Sequence, residues 1–296
     1  VSCLFAVCQY FGVWPAQEKI EGLRRITHLH FEHAYEEPRG IPGRFYGVGL
    51  VFHRLKFAHV GALLTVFVAY GAFRAKGVWS WLGFVLVALS IVTITQFALV
   101  RSASASLVVV LALVWALLQQ RPGRAFLLGS LGAVMVMGLL ALQPQVRMRF
   151  AASIDPKSHG DRPELWAAGW RAWKTSPVVG IGYDQFHPGK FPSDEMPDHI
   201  QKHGGKAHNQ FLTIAAEAGV PGALLFIAML LWFARRLLRN RVAGAAGLGA
   251  LAFFVLLSAL HDPLFHAQFS MGFVLALGVS LAMVERGDET TEGAAS

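Results

Sequence analysis

Residues 79–100 read WSWLGFVLVALSIVTITQFALV, residue 101 is an arginine, and residues 102–118 read SASASLVVVLALVWALL. A helix needs around 20 apolar residues to cross a hydrocarbon core about 30 Å thick, and each of these runs is near that length without a charge inside it. In lipid every backbone polar group must be satisfied within the segment, so an open chain crosses only as helix. The passage therefore decides the fold class: two membrane helices that meet at a single guanidinium.

The same pattern extends in both directions. Further apolar runs stand at 57–73, 125–143, 209–234, 243–260 and 268–284, beside the quoted ones at 79–100 and about 103–119. Over 296 residues the chain is 54% hydrophobic and only 15% charged, with a mean hydropathy of +0.47. Soluble domains average roughly 45–50% apolar and 25% charged, so a soluble globular domain is excluded. The expected fold is all-α, a polytopic transmembrane helix bundle. The net charge of +8 comes from Lys and Arg placed mostly between the apolar runs. With no basic stripe on a soluble module, the expected partners are membrane lipids and an anionic lipid-linked substrate, and no nucleic acid. Cys3 and Cys8 are the only cysteines, which make neither a disulfide framework nor a metal cluster.

Punctuation by polar residues divides the chain as follows. Residues 1–14 read as the end of a transmembrane span, with earlier spans expected to be missing; 15–56 as a polar loop; 57–143 as four transmembrane helices; 144–207 as one large extramembrane loop with short amphipathic helices, one of them around 164–174; 208–284 as three more transmembrane helices; and 285–296 as a polar tail. Short connectors carry Arg74 and Lys76, then Arg121 and Arg124, then Arg235, Arg236, Arg239 and Arg241. They alternate so as to lie on one side, which the positive-inside bias makes cytoplasmic. The 15–56 loop, the Arg101 turn, the large loop and the His261-Asp262-Pro263 turn then lie on the opposite side.

This topology gathers Arg44, Arg101, Arg162, His208 and Asn209, with His261, at one membrane face. Arg101 is either a charge snorkelling to the interface or an anion ligand, since an arginine near a span end is costly and is usually kept for a partner. The small residues 102–106 allow close packing that turns it into the bundle. His208 closes the large loop and opens a span; its imidazole has the near-neutral pKa of a proton acceptor, and a helix N-terminus favours anions. Glu217 reads equally as a polar group buried between helices or as a functional carboxylate. Asp161 before Arg162-Pro163 is a helix start, and Pro177 followed by Gly180 and Gly182 is a turn. Trp166, Trp170 and Trp173 are expected to lay that helix along the membrane interface. His53, His159, His187, His199 and His203 read as exposed loop groups.

Five features together resemble the O-antigen ligase family of bacterial membrane proteins, which also includes O-antigen polymerases and protein O-oligosaccharyltransferases. These are His208-Asn209 with Gly219 and Gly222; Arg101 followed by small residues; the Arg162, Trp166, Pro177, Gly180, Gly182 run; the large loop before the histidine; and Arg44-Phe-Tyr-Gly47 leading to Phe57-Ala58. Val100-Arg101-Ser102 departs from the Ser-Arg-Gly often found in the family. The resemblance implies ten to twelve transmembrane helices, a periplasmic large loop, and a multi-pass protein of the bacterial inner membrane with its active site on the periplasmic side. It further implies a glycosyltransferase that moves a glycan from undecaprenyl diphosphate to a sugar hydroxyl of lipid A-core.

In that chemistry His208 is the general base, Arg101, Arg162 and Arg44 hold the diphosphate, and Asn209, Glu217, Gly219 and Gly222 support the site. No Asp, Glu and His cluster has the spacing of a ligand set, so neither a metal nor another cofactor is expected. Within the family, a polymerase or a protein O-glycosyltransferase stays open. So does a polysaccharide or lipid transporter, although no repeat and no paired Gly/Pro interruptions favour it.

Overall fold

The apolar runs fold as helices close to where the sequence places them. The computed structural model describes residues 2–12, 37, 43–49, 53–151, 161–194, 196–203 and 205–293. Its helices are α1 (Ser2–Tyr10), α2 (Arg54–Arg74), α3 (Val78–Val92), α4 (Arg101–Leu117), α5 (Pro122–Leu140), α6 (Pro144–Ala151), α7 (Arg162–Thr175), α8 (Asp198–His203), α9 (Gln210–Leu238), α10 (Ala245–Ser258) and α11 (Ala267–Gly293). Among the described residues there is no strand. Among the described residues five segments are long and apolar enough to cross a membrane: Arg54–Arg74, Val78–Phe97, Pro122–Leu140, Gln210–Leu238 and Ala267–Arg286. The shorter α4 and α10 are apolar as well.

Two compact units make up the chain. The first comprises Val1–Ala152 with Met271–Ala276. Here α2 packs on α3 and α4, and α4 on α5. Small residues let the backbones approach, as is usual where lipid supplies no hydrophobic force between helices. A Cβ on Gly83 would stand 2.6 Å from the Ala72 Cβ, and one on Gly129 3.1 Å from that of Ala112. No residue of α3 is buried, so its Trp, Leu and Val side chains form a lipid-facing surface. At its end the helix loosens into a π-helical turn, Thr93–Phe97, and Leu99 takes a left-handed conformation with φ 54°. The Thr95 hydroxyl donates to Ser104 Oγ at 3.1 Å, and Ser104 Oγ donates to the Val100 carbonyl at 2.9 Å. These hydroxyls hold the reversal from which Arg101 starts α4.

The second unit comprises Ser153–Ser270 with Leu277–Ser296. The expected amphipathic helix is α7, and its buried face (Leu165, Ala168, Ala172) joins Phe186, Ile200, Ala207 and Ala216 in one core. Gly169 brings α7 against α9, where an added Cβ would meet Leu212 at 2.9 Å. Of the three tryptophans, Trp173 packs on the core, while Trp166 and Trp170 are exposed. Nearly all of α10 is buried, as suits an apolar helix too short to cross alone.

Elsewhere the structure adds detail to part of what the sequence predicts. The 15–56 loop lies largely outside the described residues, and α2 begins at Arg54. The polar tail is helical as far as Gly293, because α11 continues through it, with Glu285 paired to Arg236 at 2.9 Å. His53 and His187 accept backbone N–H groups at helix starts, and His199 meets the Asp161 carboxylate at 2.9 Å. Of the remaining loop histidines, His159 and the side chain of His203 lie outside the described residues.

Candidate active site

In the first unit two of the arginines have different neighbours. Arg44 lines a cavity of about 620 Å³ together with Tyr10, Phe11, Gln96, Phe97 and Gln143 among others. Its guanidinium stands 4.7 Å from the Phe11 ring centroid. Arg101 instead has Arg54 as a like-charged neighbour, and each of the two residues opens its helix. The Arg54 guanidinium lies 4.2 Å over the buried Tyr46 ring. Two like charges near two helix N-termini make this region electropositive. Arg54 was not among the residues singled out from the sequence, because an arginine just before an apolar run reads as an interface anchor.

In the second unit the His-Asn motif begins a broken helix. Gly219, with φ 67° and ψ −171°, is non-helical inside α9, a region of backbone space that is essentially glycine's own. Pro221 removes the N–H that would have reached the Glu217 carbonyl. The Pro177–Gly182 turn supplies the missing bonds. Ile181 N–H donates to the Ala216 carbonyl at 2.9 Å, Gly182 N–H to that of Glu217 at 3.0 Å, and Val220 N–H to that of Pro177 at 2.8 Å. A Cβ on Gly219 would stand 2.1 Å from the Val178 carbonyl oxygen, one on Gly180 2.2 Å from that of Glu217, and one on Gly222 2.3 Å from the Ala218 Cβ. The glycines of the motif therefore build the break.

Beyond it, 220–238 runs about 28 Å at 1.5 Å per residue, enough to span a bilayer core. Before it, Gln210, Thr213, Ala216 and Glu217 are buried against protein.

That break presents His208. Asn209 is the N-cap of α9, its Oδ1 accepting from Leu212 N–H at 3.0 Å. His208 itself is left-handed at φ 54°, a conformation that costs a non-glycine residue about 1–2 kcal/mol. Asp262 holds it there: its carboxylate accepts the His208 backbone N–H and the Thr213 hydroxyl at 2.6 Å, while Oδ2 has no partner. Burial, against those hydrogen bonds, pushes the Asp262 carboxyl up to about 6. His261, the neighbour of Asp262, sets its ring 6.2 Å from that of His208, edge to face.

The His208 imidazole opens to solvent on one side and is crowded by protein on the other. That desolvation, followed by the nearby Arg162 guanidinium, lowers its pKa, with Asp161 opposing. A neutral imidazole beside a guanidinium can take a proton while an anion is held next to it.

Glu217 resolves as one half of an ion pair. Its Oε1 accepts from Lys206 Nζ at 2.8 Å and from Phe186 N–H at 3.3 Å. Lys206 also reaches Asp184 Oδ1 at 2.7 Å and lies 4.3 Å from the Phe265 ring centroid. Burial alone would lower the Lys206 pKa, but its bonds to the two carboxylates outweigh it and the pKa rises. Lys206 and Asp262 were missed by sequence reasoning. The available signals were a lysine two residues before the histidine and a lone carboxylate between two apolar runs.

The structure thus brings Arg162, His208, Asn209 and Glu217, with Gly219 and Gly222, into one unit, and places Arg44 and Arg101 in the other. No curated protein matches the chain. A family model described as O-Antigen ligase matches residues 97–227, a segment that takes in Arg101, Arg162, His208, Asn209, Glu217, Gly219 and Gly222 but neither Arg44 nor Asp262. The chain has the apolar helices of a multi-pass membrane protein, and over residues 97–227 it is similar to the O-antigen ligase family.

Proposed function

We propose that the protein transfers a glycan from undecaprenyl diphosphate to a sugar hydroxyl of lipid A-core at the periplasmic face of the bacterial inner membrane. The observation that carries this reading is His208: an imidazole with a depressed pKa beside the Arg162 guanidinium, offered from a strained backbone by the Asp262 carboxylate.

In the step, the acceptor hydroxyl oxygen attacks the anomeric carbon and forms the new glycosidic bond. The bond from that carbon to the diphosphate oxygen breaks, undecaprenyl diphosphate leaves with the electron pair, and the hydroxyl proton passes to His208. The diphosphate is assigned to guanidinium groups, whose planar forks match phosphate oxygens, with Arg162, Arg101 and Arg44 as the candidates. Asn209 spends its Oδ1 on the helix cap and so acts by fixing the backbone that bears His208. The acceptor decides between ligase, polymerase and protein O-glycosyltransferase.

The test is transfer in vitro by purified full-length protein, with a diphosphate-lipid-linked glycan and lipid A-core, with and without EDTA. Wild type is expected to form product in both, and His208→Ala to lower turnover by about 10²–10⁴-fold with donor binding kept. Wild-type turnover in His208→Ala would refute the base assignment. Chain growth on a second donor molecule, without transfer to lipid A-core, would make the enzyme a polymerase.

A further inference from the structure

We infer that Lys206 is a positioning residue for His208: paired with Glu217, it fixes the chain two residues ahead of the imidazole and sets the charge around the Asp262 carboxylate that holds the His208 backbone. This rests on the reading of His208 as the base.

Three anchors fall on consecutive residues. Lys206 is tied to Glu217 and Asp184 at 2.8 and 2.7 Å, Ala207 is wholly buried in the core of the unit, and His208 N–H is taken by Asp262. The left-handed turn at His208 is thereby determined from both sides. Glu217 in turn sits immediately before the α9 break, and its carbonyl is bound by Gly182 N–H. The ion pair therefore ties the histidine loop to the break itself. An ammonium with an 18% exposed side chain facing a carboxylate with a 5% exposed one is poorly screened, so its field reaches the neighbouring groups.

The charged and titratable groups around Asp262 are His208 and the adjoining His261, Lys206 with its partner Asp184, and Glu217, with the Thr213 hydroxyl as donor. Lys206 favours the ionised Asp262 and Glu217 opposes it. Loss of the ammonium therefore raises the pH at which Asp262 takes a proton, and loss of the Glu217 charge lowers it. Protonated, Asp262 accepts the His208 N–H and Thr213 hydroxyl less well. The acid limb of the rate profile is expected to follow.

In the same transfer assay with full-length protein, Lys206→Met is expected to lower kcat by about tenfold or more with the donor KM little changed, and to move the acid limb up by about half a pH unit or more. Glu217→Gln, which keeps acceptors for Lys206 and for Phe186 N–H, is expected to move it down. Lys206→Arg, which keeps the charge, is expected to recover most of the turnover, and the Lys206→Met/Glu217→Gln pair to cost less than the two single changes summed.

If Lys206→Met does not fold, the opposite displacement in Glu217→Gln and the recovery in Lys206→Arg carry the test. An unmoved acid limb in every folded variant, or wild-type turnover in Lys206→Met, overturns the inference while an inactive His208→Ala leaves the base assignment standing. An active His208→Ala overturns that assignment instead.

Discussion

Arg101 shows how much a single side chain depends on what stands beside it. A guanidinium that snorkels to the interface gains nothing from a like charge next to it, yet Arg54 is its neighbour, and both open helices whose N-terminal N–H groups add further positive potential. A like charge nearby is what an anion site tolerates and a snorkelling arginine does not need, so Arg101 is read as an anion ligand. A lysine keeps the charge but not the planar two-pronged contact with phosphate oxygens. Arg101→Lys is therefore expected to lose about tenfold or more in kcat/KM for the diphosphate-linked donor. Steady-state transfer kinetics check this, and an unchanged kcat/KM would show that charge alone suffices. The arginine and the histidine were legible in the sequence because each interrupts or bounds an apolar run. Arg54, Lys206 and Asp262 were not, because each sits where a charge at a span end needs no explanation, and only tertiary packing pairs Lys206 with Glu217 or Asp262 with Thr213.

At the scale of the element, α9 is two helices in series, and the Pro177–Gly182 turn is what makes the junction tolerable. A helix broken without substitute donors would leave the carbonyls of Ala216 and Glu217 buried and unpaired, which costs roughly 1–3 kcal/mol for each group. The turn supplies both donors and takes one N–H in return. Gly219 carries the constraint twice, through its positive φ and through the 2.1 Å approach that a Cβ would make to the Val178 carbonyl oxygen.

Gly219→Ala is accordingly expected to destabilise the second unit by more than about 3 kcal/mol, combining backbone strain with a backbone clash. Pro221→Ala, which restores an N–H opposite a carbonyl already bound by Gly182, should cost much less. Thermal unfolding in detergent compares the two; equal melting points would contradict this account of the break. In the sequence the glycines and prolines read correctly as turn signals. What they could not convey is that one turn completes the hydrogen bonding of a helix some forty residues further on.

For the molecule as a whole, the apolar runs located the helices to within a few residues because hydropathy and span length impose the same constraint on any such chain. The ends drifted where that constraint relaxes, at the short, buried α10 and along the helical continuation of α11. Orientation follows from charge alone. The connectors with Arg74 and Lys76, with Arg121 and Arg124, and with Arg239 and Arg241 carry the positive charge of the short loops. By the positive-inside bias these connectors are expected on the cytoplasmic face and the His208 loop on the opposite one.

Single cysteines in a Cys3→Ser/Cys8→Ser background test this directly in intact cells. Tyr183→Cys and Asp198→Cys, at positions well exposed in the large loop, should react with a membrane-impermeant maleimide that passes only the outer membrane. Lys76→Cys and Gln120→Cys, at exposed connector positions, should react only after the inner membrane is opened. The opposite pattern would put His208 on the cytoplasmic side and remove it from any periplasmic acceptor, while labelling of all four sites in intact cells would break the alternation on which the topology rests.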